Sequence, residues 1–149
     1  MIREERPEDR DAVRSVEVAA FGRDDEADIV DALRDDPAWA LSLVAVADDG
    51  EIVGHLLFTR GSRAMTLGPL AVLPSHQRSG VGTALMREGL ARLDEPIVLL
   101  GHVEYYPRFG FRPAAPLGIT NQWGIEDPAW MVRGELEPGE VRYPAPFAP

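Results

Sequence analysis

The densest chemistry in the chain lies between an apolar run and an amphipathic one, in Leu73-Pro74-Ser75-His76-Gln77-Arg78-Ser79-Gly80-Val81-Gly82-Thr83. Gly80 and Gly82 remove side chains where a backbone turns and comes close to a ligand. The helix that follows presents N–H groups with no helical partner, together with the positive end of its dipole. That is an anion site suited to a pyrophosphate, and Arg78 adds a positive charge beside it. A dinucleotide-binding fingerprint needs a further Gly or Ala three residues past Gly82; that position is Leu85, so the fingerprint fails. Spacing alone leaves open a plain strand-to-helix turn that binds nothing.

Few other side chains can do chemistry. His102 follows the apolar run Ile97–Leu100 and is a candidate proton acceptor near neutral pH. Glu104 and water are alternatives, so the base stays open. His55, His76 and His102 do not stand at metal-ligand spacing, and no metal is expected. No Ser sits in a Gly-x-Ser-x-Gly elbow, which disfavours a serine hydrolase. Cysteine is absent, which excludes disulfides, thiolate nucleophiles and Cys-based zinc sites. All fifteen Lys-plus-Arg residues are Arg, so there is no lysine for a Walker A loop or a Schiff base. Phe58, Trp123 and Trp130 are candidate pocket aromatics; Trp123 is the best placed, within the irregular stretch Gly118 to Asp127.

The elements that must position these groups follow from periodicity. Ile2–Glu5 reads as a strand. Pro7, Glu8 and Asp9 open a helix with apolar residues at helical spacing to Phe21, and a second helix runs from Asp24 to Leu33. Leu41–Ala47 and Ile52–Thr59 are strands joined by the turn signal Asp48-Asp49-Gly50. Leu67–Val72 is a third apolar segment, in which Gly68-Pro69 predicts a bulge or a splayed edge. A helix is predicted over Val81–Leu93 and a strand over Ile97–Leu100. A short helical turn is predicted at Tyr105–Phe109, and further strands at Trp130–Leu136 and Val141–Tyr143. Phe147 is a candidate anchor for the tail. The order predicts a mixed sheet with helices on its faces, in one domain spanning 1–149. Leu67 to Leu100 is a strand–helix–strand unit between parallel strands.

The segment Gln77-Arg78-Ser79-Gly80-Val81-Gly82 resembles the Q/R-x-x-G-x-G/A acyl-CoA loop of the GNAT N-acetyltransferases, in its full strand–loop–helix context. Glu104-Tyr105-Tyr106-Pro107-Arg108-Phe109-Gly110-Phe111 is similar to the Tyr-containing segment after that family's fifth strand, and the run Gly101 to Pro113 resembles a poorly characterised bacterial-type subgroup. The resemblance implies an α/β (α+β) fold whose mixed, mostly antiparallel sheet has a V-shaped split between the fourth and fifth strands. It implies that main-chain groups of Leu70, Ala71 and Val72 and the loop Gln77, Arg78, Ser79, Gly80, Val81, Gly82 and Thr83 hold acetyl-CoA. It further implies direct attack of an amine on the thioester, a backbone N–H near Val72 facing the developing oxyanion, and Tyr106 as the acid that protonates the leaving thiolate. His102 is the candidate base. One departure is clear: His102 stands four residues before Tyr106, where many members have an Asn and a full helix. A catalytically inactive acyl-CoA-binding module of the same fold is the alternative.

Composition bounds the partners. The net charge of -10 argues against nucleic acid; it reads first as an aid to solubility, with attraction of a cationic acceptor as the sharper alternative. No apolar run approaches the ~18–20 residues of a membrane span, and the charged opening residues do not read as a signal peptide, so a cytoplasmic protein is expected. The amine acceptor is not legible, and monomer and homodimer are both open.

Overall fold

In the computed structural model, residues 1–148 are described. The chain runs β1 (Ile2–Glu4), α1 (Arg10–Phe21), α2 (Asp25–Leu33), β2 (Trp39–Val46), β3 (Ile52–Arg60), β4 (Met65–Val72), α3 (Val81–Ala91), β5 (Ile97–Leu100), β6 (Arg112–Pro113), β7 (Ile119–Asn121), β8 (Trp130–Arg133) and β9 (Gly139–Val141). Seven strands form one sheet in the order β1-β2-β3-β4-β5-β8-β6, and β7 and β9 form a parallel pair apart from it.

The alternation of side chains across β3 assigns the helices to faces. Leu56 and Phe58 join Leu85 and Met86 of α3 in one apolar cluster. Leu57 joins Val13 and Val16 of α1 and Val30 and Leu33 of α2 in another. Val13 and Val16 are three residues apart, as are Ala27, Val30 and Leu33, so each helix turns one stripe to the sheet. Gly22, at φ 70°, closes α1 by donating its N–H to the carbonyl of Val18 at 2.8 Å.

The central discontinuity is between β4 and β5. These strands are parallel, yet they pair only at Met65↔Ile97 and Thr66↔Val98. On its other edge β4 stays paired with β3 as far as Gly54↔Val72, with an irregularity at Gly68-Pro69. From Leu67 onward β4 therefore has a partner on one side only. This is the split between the fourth and fifth strands that the resemblance implies.

Local details differ from expectation. The predicted strand Trp130–Leu136 stops at Arg133, because Gly134 adopts φ 90°. The strand expected at Val141–Tyr143 lies at Gly139–Val141 and pairs with Ile119–Asn121, a partner absent from the sequence reading. The helix predicted to reach Leu93 ends at Ala91.

Between the sheet and the first two helices runs a buried chain of polar groups. Arg34 Nη1 donates to Glu5 Oε2 at 2.5 Å, and Glu5 Oε1 meets Ser42 Oγ at 2.5 Å. Ser42 Oγ lies 2.8 Å from His55 Nε2, and His55 Nδ1 lies 2.9 Å from Glu17 Oε2. His55 and Glu17 are fully buried, and Glu17 Oε1 has no partner among the described residues.

Candidate active site

Where β4 and β5 part, a cleft of about 1070 Å³ opens. Leu67–Leu70 and Val72 of β4 line it, with Leu100, Gly101 and His102 across the split. The loop before α3 and that helix's first turn line it from one face of the sheet, and α1, α2 and the tail also contribute to its wall, the two helices from the opposite face.

The loop is built to hold its shape and leave its N–H groups free. Gly80 stands at the start of α3 with φ 89°, a left-handed conformation that glycine adopts without a steric cost. Gly82 has no such need: a Cβ there would sit 3.5 Å from Tyr105 Oη and 3.7 Å from Val72 Cγ2, so its bareness keeps the cleft open. Among the described residues no side chain caps the helix, which leaves its first-turn N–H groups for a ligand. Gln77 Nε2 donates to the Val72 carbonyl at 3.1 Å, and Ser79 Oγ donates to the His76 carbonyl. These two side chains brace the loop. Arg78, at φ 63°, is exposed and lines the cleft.

Of the residues singled out in the sequence, Leu70, Val72, Gln77, Arg78, Gly80, Gly82, Thr83, His102 and Tyr106 line this one cleft. Ser79 does not line it. Ala71 turns its side chain into the core beside α1 and α2, and Val81 packs against the α3-side core. Those two can serve through the main chain alone.

Tyr106 is placed by an absence. A Cβ on Gly101 would lie 2.4 Å from Tyr106 Cε2, so the ring fits only over a bare α-carbon. Tyr105 and Phe111 hold it edge-on, at centroid distances of 5.1 and 6.1 Å. Burial, followed by the neighbouring Tyr105, pushes its phenol up to about 12, so it stays protonated at neutral pH. Tyr105 is committed elsewhere, its hydroxyl 3.2 Å from Thr83 Oγ1 in the first turn of α3.

His102 does not anchor its loop through the imidazole. Its side chain is 80% exposed and lies 3.8 Å from Glu104, and it is the His102 carbonyl that accepts from the N–H groups of Tyr105 and Tyr106. Phe58 and Trp130 are not pocket aromatics. Phe58 is fully buried under α3, and Trp130 is fully buried with its indole N–H bonded to the Ile119 carbonyl. Trp123 does line the cleft.

Three charged groups of the lining carry no signal of their own in the sequence. Arg108 stacks over the Tyr105 ring at 4.6 Å and brings a second cation near the loop. Arg23 and Glu26 form a forked pair, Nε–Oε1 at 2.9 Å and Nη2–Oε2 at 2.5 Å, on the wall furnished by α2. Among the described residues no three His, Cys, Asp or Glu side chains group to hold a metal ion, and no helix is long and apolar enough to cross a membrane.

Known proteins share this architecture. The profile of the Acetyltransferase (GNAT) family matches residues 4–111. The N-acetyltransferase YjhQ of Escherichia coli is 42% identical over 121 residues, covering 72% of this chain and 66% of YjhQ, so the match spans just under two thirds of that relative. The N-acetyltransferase YhbS of Escherichia coli is 33% identical over 142 residues, covering 89% of this chain and 85% of YhbS. The crystal structure of Escherichia coli YhbS in complex with CoA superposes with a TM-score of 0.93 at 29% identity, over 99% of this chain and 91% of that one. A GNAT family acetyltransferase from Brucella melitensis, solved with acetyl-CoA, gives 0.82 at 36% identity, over 99% of this chain and 97% of that one.

Proposed function

The chain belongs to the GNAT acetyltransferase family, and from that premise we propose that it moves an acetyl group from acetyl-CoA to an amine by direct attack within a ternary complex. The observation that carries the reading is the pairing of β4 with β5 at two positions only, beside a helix start with unclaimed N–H groups. A pyrophosphate suits the first turn of α3, with Arg78 and Arg108 near it, and the unpaired edge of β4 suits the amides of a pantetheine arm. Acetyl-CoA, when bound, supplies a thioester carbonyl and a thiolate leaving group. The absence of cysteine and the nature of this cosubstrate suit a cytoplasmic setting.

The residues of the chain then divide the work. Tyr106 holds a proton for the leaving sulfur, and Gly101 lets its ring reach the split. An N–H near Val72 faces the oxygen on which charge develops. His102, in the cleft wall and open to solvent, takes the proton that the amine must lose.

Thiol release from acetyl-CoA across an amine panel tests the reading. Release with at least one amine is expected; acetyl-CoA binding without release from any amine would leave a binding module. Tyr106→Phe should lower kcat on the order of a hundredfold, with acetyl-CoA affinity roughly unchanged. Because the phenol is held near 12, it stays protonated through the working range, so wild type and variant should share any alkaline limb below about pH 11. Equal losses of turnover and affinity would make Tyr106 a binding residue instead.

A further inference from the structure

The Arg23–Glu26 pair stands in the cleft wall at α2, which packs on the sheet face opposite α3, and nothing in the proposed reaction uses it. Its members are unequal. Arg23 is 61% exposed, whereas the Glu26 carboxylate is 16% exposed and set into the wall. The hydrogen bonds from Arg23 hold Glu26 below the usual carboxylate range, so it is an anion at neutral pH and a poor base. An ion pair with one mostly exposed partner costs little to open, and beyond the bonds from Arg23 and from its own main chain the carboxylate still has room for another donor.

The surroundings favour an organic cation over water. Phe21, itself 40% exposed, and Ile29 line the same cleft. So do Trp123 and Phe147, which flank Tyr143 at centroid distances of 5.0 and 5.2 Å. Aromatic faces attract an ammonium, and apolar walls strengthen its pull toward a carboxylate. The other acid in the cleft wall, Glu104, is 75% exposed.

The nitrogen that attacks a thioester must be neutral. A carboxylate that stays ionised stabilises the protonated form of whatever nitrogen it touches, so the nitrogen at Glu26 is not the reacting one. We infer that Glu26 anchors the second, protonated nitrogen of a diamine-type acceptor, whose other amine reaches the split between β4 and β5 in its neutral form. This rests on the acetyltransferase reading above, and it names the class of substrate.

The test pairs straight-chain diamines, putrescine and cadaverine, with butylamine and pentylamine. Each is titrated calorimetrically into the CoA-bound protein and assayed for thiol release with acetyl-CoA. The diamines should bind about tenfold more tightly, with a matching ratio in kcat/KM, as a hydrogen bond to a charged group implies. Glu26→Gln should bring both ratios to about one, and Glu26→Asp should restore part of the preference. Acetyl-CoA affinity and melting temperature of each variant report that it is folded. Diamines that bind no better than monoamines, or a preference that survives Glu26→Gln, would overturn the assignment. Glu26-dependent diamine binding without thiol release would sink the transferase reading and leave the subsite standing. Monoamines turned over as fast as diamines would do the reverse.

Discussion

Gly82→Arg is expected to abolish acetyl-CoA binding while the protein stays folded. The position is helical without a left-handed φ, and a Cβ there makes only ordinary contacts with Tyr105 and Val72, so the backbone accepts a side chain. Gly82→Ala should therefore keep most of its affinity. A long side chain must instead lie across the N–H groups that begin α3, between the Tyr105 hydroxyl and Val72, where the pyrophosphate is proposed to sit. Arg makes the experiment discriminating. If the site worked through positive charge alone, a further cation would tighten binding; if it works through close approach of main chain to phosphate, the same cation blocks it. Differential scanning fluorimetry reads the outcome. At a concentration about a hundred times Kd, a specific ligand stabilises by about 2.7 kcal/mol, roughly 5–10 °C for a chain of this size. That shift should appear in wild type with acetyl-CoA or CoA, be absent with ATP or NAD, and vanish in Gly82→Arg. A variant that keeps the full shift would remove α3 from the binding site.

The loop was readable in the sequence because everything it needs is local: bare positions at 80 and 82, a strand before, a helix after. The split came from the family resemblance; the residues themselves offered only Gly68-Pro69, a bulge or splayed edge in an otherwise apolar strand, at the point where β4 leaves β5. At the acceptor end only Trp123 was readable, because it stands in an irregular stretch. Glu26 comes from α2, Phe21 from the end of α1 and Phe147 from the tail, and no spacing within one segment announces that they meet Trp123. The pair β7–β9 escaped for want of length: three residues on each side carry too little periodicity to register. Gly101 was in view within the run that carries the family resemblance, but its part in seating Tyr106 needs the ring's position in space. Glu17 could have been flagged. It stands four residues after Val13, on the stripe that also holds Val16, and a carboxylate at a core-facing helical position calls for a buried partner.

That partner, His55, carries the second large effect: His55→Leu should destabilise the fold by about 3–5 kcal/mol in urea unfolding, out of the roughly 5–15 kcal/mol that a domain possesses. The order of donors along the chain says why. Arg34 donates to one oxygen of Glu5 and Ser42 donates its hydroxyl hydrogen to the other, so Ser42 can only accept from His55. The imidazole must then carry its hydrogen on Nε2, and the contact between Nδ1 and Glu17 holds a single proton between them. Removing the imidazole leaves Glu17 buried with no partner and Ser42 without a donor. Glu17→Leu combined with His55→Leu should recover much of the loss, because a matched apolar pair replaces a buried polar one. Glu17→Gln should cost far less than His55→Leu, since its amide N–H can donate to Nδ1 where the carboxyl proton did. The pH dependence supplies the sign. Burial, opposed by His55, raises Glu17 above the ordinary carboxyl range, so its contribution is fully present below that range and is lost as pH rises through the raised value. Wild type should therefore lose ground to Glu17→Gln as pH climbs above about 4.3, the carboxyl value of the unfolded chain. A stability difference that is flat with pH, or a cost for His55→Leu under about 1 kcal/mol, would mean that the chain of hydrogen bonds does not hold the first two helices to the sheet.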